Sequence, residues 1–308
     1  MDTTQGSPIP CPYELGSTFR LQVTPPIGDP FEANVTVVSV YTPFTISPVM
    51  KVSVDSTTCA QGSAFKLPPE LVLKVYDRRF ALSLRKRYYL QPPTYESEER
   101  YREYVNSGRA PEGAEAISDE IDTVCTGGIE TCPPALLEHL IATRIGPYSG
   151  SECAVYERLE GLQGRDVPIF YGSTRFLDGS SAPGLSLSIP GVLLEVIPGS
   201  SLEDIDVSAI DLNAVINNAL RIVDICGDLD VLNKDVRLGN FIVKPDDSVV
   251  MIDFAQTRFR RADEDDLAWK RAKWSEDEEG CIGTAAMRKF GWDYARSFKY
   301  LPPPEEGY

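Results

Sequence analysis

From Asn233 the chain reads Asn-Lys-Asp-Val-Arg-Leu-Gly-Asn-Phe-Ile-Val-Lys-Pro-Asp-Asp-Ser-Val-Val-Met-Ile-Asp-Phe-Ala255. Two apolar, β-prone runs, Phe241-Ile-Val and Val249-Val-Met-Ile252, flank the turn-rich Lys244-Pro-Asp-Asp-Ser248, and that order predicts a β-hairpin. The hairpin constrains everything around it, because it would hold Asn240 and Asp253 together at its open end, with Asp235 just upstream. Asp and Asn near strand ends are ordinary turn formers. Two carboxylates and an amide at this spacing say more. Phosphoryl transfer needs a carboxylate beside the attacking hydroxyl, a neutral oxygen ligand for magnesium, and a second carboxylate for magnesium bridging the phosphates.

Bulk properties restrict the alternatives. At 308 residues, 42% of them apolar and 25% charged, the chain can bury a large core as one two-lobed domain or two small ones. No apolar run approaches the length needed to cross a bilayer, and residues 1–10 lack the basic and apolar regions of a signal peptide. No membrane partner is expected, and the location expected is cytoplasmic, with the nucleus as an option. A net charge of −16 argues against nucleic acid as a partner, since phosphate binding needs clustered Lys and Arg. The single histidine, His139, lies in a Leu-rich segment and reads as structural. The seven cysteines form no C-x-x-C pair and are read as free thiols.

Residues 19–23, 34–41, 49–54 and 71–76 are β-branched runs punctuated by Pro and Gly, and predict an antiparallel sheet. Residues 81–149 change to charged, Tyr-rich helical sequence and read as an insertion, with its tyrosines as an optional recognition surface. Residues 151–162 carry helical spacing with Ser149 or Ser151 as cap; 168–172 and 191–197 read as strands around a polar turn. Leu212, Val215, Ile216, Ala219, Leu220, Val223 and Ile225 predict a long buried helix. The acidic run at 263–267 and the Pro-rich tail read as solvated.

Asp235, Asn240 and Asp253-Phe match the order Asp-x-x-x-x-Asn then Asp-Phe-Gly, so the chain resembles the protein kinase-like superfamily, and within it fungal kinase-like proteins and the aminoglycoside and choline phosphotransferase branch. The resemblance implies an α+β, two-lobed fold. Residues 1–17 would be a tail, 18–195 an antiparallel β N-lobe with the helical insertion at about 81–149, 196–300 a short, mainly helical C-lobe, and 301–308 a second tail. It further implies that Lys74, in Leu71-Val-Leu-Lys-Val-Tyr76, pairs with ATP phosphates. Glu152, rather than Glu157, would hold that lysine, because Glu152, Tyr156 and Leu159 share a helix face. Leu193, Glu195 and Ile197 would form the hinge around the adenine, and Arg237 would steady the γ-phosphate.

The expected activity is ATP- and magnesium-dependent phosphoryl transfer to the hydroxyl of a protein Ser/Thr or a small molecule. Asp235 would act on the hydroxyl, and Asn240 and Asp253 would hold the metal. Asn233 stands where the resemblance expects histidine, and Ala255 where it expects glycine. The nearest phosphate flap, residues 41–48, has no glycine, and no Ala-Pro-Glu follows Asp253. Those departures keep open a pseudokinase or interaction module.

Overall fold

The computed structural model describes residues 6–58, 66–125, 127–177 and 189–303. Cys59, most of the polar turn between 172 and 191, and the end of the Pro-rich tail lie outside the described residues. The elements are β1 (Thr18–Thr24), β2 (Phe31–Tyr41), β3 (Val49–Thr57), β4 (Glu70–Val75), α1 (Leu82–Arg87), α2 (Tyr95–Asn106), α3 (Ala114–Val124) and α4 (Pro134–Arg158). There follow β5 (Phe170–Phe176), β6 (Pro190–Leu194), β7 (Ser200–Ser201), α5 (Leu212–Asp228), β8 (Val231–Asn233), β9 (Phe241–Val243), β10 (Val249–Met251), β11 (Thr257–Phe259), α6 (Asp266–Glu276) and α7 (Glu278–Phe290). They gather into two compact units, Met1–Gly150 with Tyr171–Glu195, and Ser151–Phe170 with Val196–Tyr308.

In the first unit six strands close into a barrel of order β1-β2-β3-β4-β6-β5. Period-two alternation fills it: Phe19, Leu21 and Val23 of β1 and Ala33, Val35 and Val37 of β2 enter one core with Leu71, Leu73 and Val75 of β4. This overturns the two-lobed fold with an antiparallel-sheet N-lobe that the resemblance implied. The first strand does not end the sheet. It pairs with β5, Leu21 opposite Phe176 and Thr24 opposite Ser173, which removes the open edge. Gly172 makes the closure possible, since at φ +136° a Cβ there would lie 2.4 Å from the Thr24 carbonyl oxygen. Alternation identifies strands and their buried faces but not their partners.

The segment at 81–149 is helical as expected, but its end is not a boundary. α4 runs unbroken from Pro134 to Arg158 through Pro147, so neither Ser149 nor Ser151 caps a helix. Burial of Ile141, Ile145, Val155 and Tyr156 along its length outweighs the local stop signals. Cys125 and Cys132 are joined in a disulfide, correcting the reading of all cysteines as free; Cys11, Cys153, Cys226 and Cys281 are thiols. His139 is structural, with Nε2 3.0 Å from the Pro111 carbonyl oxygen and Nδ1 3.4 Å from the Tyr101 hydroxyl.

The second unit is built on α5, capped by Asp211 and burying Val215, Ile216, Ala219, Ile222, Val223 and Cys226. The expected hairpin is present, with Val243 opposite Val249 and Phe241 opposite Met251. The acidic run is not simply solvated. Asp265 caps α6, Asp266 pairs with Arg260, and Glu264 accepts two bonds from Arg258 at 2.8 and 2.9 Å. Among the described residues no helix is long and apolar enough to cross a membrane.

Candidate active site

Strands of only three residues cannot by themselves fix a loop, so the stretch around Asp235 is clamped twice. β8 pairs with β11, Asn233 opposite Thr257, and the ladder is extended where the Lys234 N–H donates to the Gln256 carbonyl at 2.9 Å. Inside that clamp the β9–β10 hairpin is closed by the Ile252 N–H donating to the Asn240 carbonyl at 2.8 Å. A third fastening comes from Asp166, whose backbone carbonyl accepts from Met251 N–H and whose carboxylate pairs with Arg221.

Asn233 joins the two carboxylate-bearing segments. Its Oδ1 accepts from the Asp235 N–H at 2.9 Å and its Nδ2 donates to the Asp253 carbonyl at 3.1 Å. Its own N–H donates to the buried Glu278 carboxylate at 2.9 Å, and Glu278 in turn is ion-paired with buried Lys273. The amide at position 233 thus supplies the tie for which the resemblance expected a histidine. Asp253 adopts φ +66°, an uncommon left-handed conformation that Asp tolerates better than most residues. Ala255 is not among the positive-φ residues, so its methyl does not obstruct the turn.

Asn240, almost fully buried, donates from Nδ2 to the Asp235 carbonyl at 2.8 Å, leaving Oδ1 as its acceptor. Burial raises the Asp235 carboxyl above the ordinary aspartate range, and the charge of Asp253 raises it further; Arg237 and hydrogen bonds from Asn240 and Gln256 oppose them. Arg237 Nε lies 3.7 Å from Asp235 Oδ2, on a half-exposed side chain. Gln256 was not anticipated as a partner of Asp235, and nothing in its sequence neighbourhood marks it. Glu278, far along the chain, carried no signal either.

Glu152, on α4, is fully buried, and its Oε1 accepts from the Phe254 N–H at 3.3 Å, so it supports the backbone just after Asp253. Phe254 is edge-on to Tyr156, which stacks on Phe170. Burial, helped by the Glu152 charge, pushes the thiol of the neighbouring Cys153 up to about 12, which works against its thiolate form.

The remaining expected residues divide differently. Asp235, Arg237, Asn240, Asp253 and Glu152 all belong to the second unit, as does Ile197; Lys74, Leu193 and Glu195 belong to the first. Lys74 is buried on β4, opposite Val49 and Val192 and on the strand face away from Leu73 and Val75, with Nζ 5.6 Å from the Tyr76 ring. Leu193 pairs with Leu73 and belongs to the barrel core. Glu195 and Ile197 follow the end of β6. The 41–48 segment is bound down, its Thr45 and Pro48 carbonyls each accepting a backbone N–H, from Ser83 and Val75, at 2.9 Å.

The oxygen chemistry suits magnesium. A buried amide oxygen and a carboxylate are hard ligands, and magnesium takes one or two carboxylates with water and substrate phosphates rather than a full protein cage. No group of three or more His, Cys, Asp or Glu side chains placed to hold a metal ion occurs among the described residues. No protein-family model matches the chain, and no curated protein matches it in sequence.

Proposed function

We propose that the 233–256 loop is the centre of an ATP- and magnesium-dependent phosphotransferase that moves the γ-phosphate to a hydroxyl of a protein or a small molecule. The observation carrying this reading is that one buried side chain, Asn233, ties together the backbones of Asp235 and Asp253. In this reading Asn240 Oδ1 and the Asp253 carboxylate hold the magnesium ion, which supplies charge neutralisation at the phosphates when bound. Asp235 orients the acceptor hydroxyl and takes its proton, a task favoured by a carboxyl held above the ordinary aspartate range. Arg237 offers a permanent positive charge next to the carboxylate that receives the proton. An ATP-consuming reaction also points to the cytosol or nucleus as its place.

A second reading, an interaction module that does not turn over, is favoured by the 41–48 segment, which lacks glycine and whose carbonyls are tied to Ser83 and Val75. The experiment that separates them is thermal denaturation with ATP, with and without magnesium, followed by ADP release against protein, aminoglycoside, choline and sugar acceptors. The phosphotransferase reading expects a magnesium-dependent rise in Tm for the wild type and none for Asp253→Asn, a substitution that keeps the left-handed backbone accessible. A wild type indifferent to magnesium defeats it.

A further inference from the structure

Among the described residues β8 has a strand, β11, on one edge only. On that edge the ladder is complete: the Arg260 N–H donates to the Asp230 carbonyl and the Lys234 N–H to the Gln256 carbonyl, each at 2.9 Å. Alternation turns the backbone groups of Val231 and Asn233 the other way. There an ion pair does what a third strand would do. The Asn233 N–H donates to Glu278 Oε1 at 2.9 Å, and the Val231 carbonyl accepts from Lys273 Nζ at 3.3 Å. Lys273 and Glu278 are bonded to each other as well, and both are buried. Their mutual attraction is strong only while water stays out.

Two rings help to keep it dry. Trp269, buried on α6, lies 5.9 Å from Lys273 Nζ, and the Tyr300 ring lies 5.2 Å from it. Tyr300 belongs to no helix or strand. It comes from the chain after α7 and seats on α5 at Gly227, where a Cβ would lie 2.2 Å from the Tyr300 hydroxyl and 2.9 Å from Lys273 Nζ. The absent side chain at Gly227 is what lets the ring reach Lys273. We propose that residues 292–301 are a strap that gates the loop carrying Asp235 and Asp253: seated, Tyr300 keeps water from the Lys273–Glu278 pair, and lifted, it wets the pair and frees Asn233.

The strap is held by contacts open to solvent. Ser297 donates to Glu279 through its N–H at 2.8 Å and its hydroxyl at 2.5 Å, Lys299 pairs with Asp228 at 2.8 Å, and Arg296 pairs with Asp277. Phe298 stacks on Trp274 yet stays 58% exposed. Ion pairs of this kind hold weakly, so the strap can lift while the helices beneath it stay folded. Glu279, which latches Ser297, is the neighbour of Glu278 on α7, so latch and anchor share one helix end. The coupling is reciprocal: a ligand that tightens the loop must also seat the strap. The effect on turnover rests on the phosphotransferase reading, whereas the effect on the loop does not.

The test is hydrogen exchange on the full chain, read by mass spectrometry without ligand and then with magnesium and ATP. Without ligand, Tyr300→Ala is expected to speed exchange across 231–240 at least about tenfold, with β1–β4 unchanged, as local opening implies. Tyr300→Phe, which keeps the ring over Lys273, should match the wild type. Ser297→Glu sets a carboxylate against Glu279, leaves Tyr300 and Lys273 in place, and should speed exchange at both 292–301 and 231–240; it carries the test if Tyr300→Ala does not fold. Magnesium with ATP should slow exchange at 292–301 in the wild type. A wild type that gains no stability from magnesium and ATP defeats the phosphotransferase reading and leaves the measurements without ligand to decide the strap. The strap is overturned if either folded variant, Tyr300→Ala or Ser297→Glu, exchanges at 231–240 as the wild type does, or if Tyr300→Phe opens the loop as Tyr300→Ala does. It is overturned equally if β1–β4 loosen to the same extent, or if magnesium and ATP stabilise the wild type without slowing 292–301.

Discussion

The barrel and the 231–259 loop are built on opposite principles. The barrel strands run five to eleven residues and register themselves by alternating apolar side chains, where a slip of one residue would turn every buried side chain outward. The strands of the loop are three residues long, too short for that, and are held instead by Asn233, Asp166 and Glu152 bonding to backbone groups. Apolar area therefore stabilises the one region, and a few buried polar contacts the other. The loop additionally keeps a carboxyl, Asp235, whose burial beside Asp253 works against its ionised form.

The sharpest way to separate the two is Asp235→Asn. On the phosphotransferase reading, in which Asp235 takes the acceptor proton, this change should lower turnover about 10²–10⁴-fold. Stability should move the other way. A carboxyl whose folded pKa is raised contributes stability below its unfolded pKa and loses it as pH rises through the folded value, so at pH 7 the wild type carries a penalty that the amide does not. Thermal denaturation at pH 7 should place Asp235→Asn at or above the wild type, with the gap closing below about pH 4. A variant less stable than wild type at pH 7 would show that the carboxylate itself is a structural tie.

The barrel should respond only to volume. Leu73→Ala removes a fully buried side chain from the core and should cost about 2–5 kcal/mol in urea denaturation. In the loop, Asn233→Ala should cost less, about 1–3 kcal/mol for buried groups left without partners. On the phosphotransferase reading its effect on turnover should exceed that of Leu73→Ala per folded molecule, with kcat falling more than KM changes, because the two carboxylate-bearing segments lose their common tie. If Asn233→Ala leaves kcat unaltered, the tie positions nothing.

What could be read in the sequence follows the same division. The β9–β10 hairpin was legible because its strands and its Lys244-Pro-Asp-Asp-Ser248 turn are contiguous, and the four first strands because their alternation is long. The barrel was not, since the β1–β5 pairing joins distant segments and Gly172, which permits it, reads locally as the end of a strand. β8 and β11 are too short to show a period, so the clamp they form was invisible although the residues inside it were not. At the site, Asp235, Asn240 and Asp253 announce themselves by type and spacing. Asn233 reads as a substitution until the structure shows both ends of its amide in use, and Glu278 is reached only through the packing of α7.

The smallest effect tests electrostatics within the second unit itself. Glu264 is bonded to both nitrogens of the Arg258 fork, and those bonds hold its carboxyl down at about 2. A depressed folded pKa has the reverse sign to that of Asp235: the stability is complete above the unfolded value of about 4.3 and is lost as pH falls through the folded one. Glu264→Gln should therefore be less stable than the wild type by about 1 kcal/mol at pH 6, the range of a partly exposed ion pair. Urea midpoints should converge as the pH is lowered from 4.5 toward 2. Asp235→Asn and the wild type should also converge on acidification, but from the opposite side, the variant starting higher. Two carboxylates in one unit are then distinguished by the sign of a single difference, and equal signs for the two variants would remove the functional reading of the Asp235 environment.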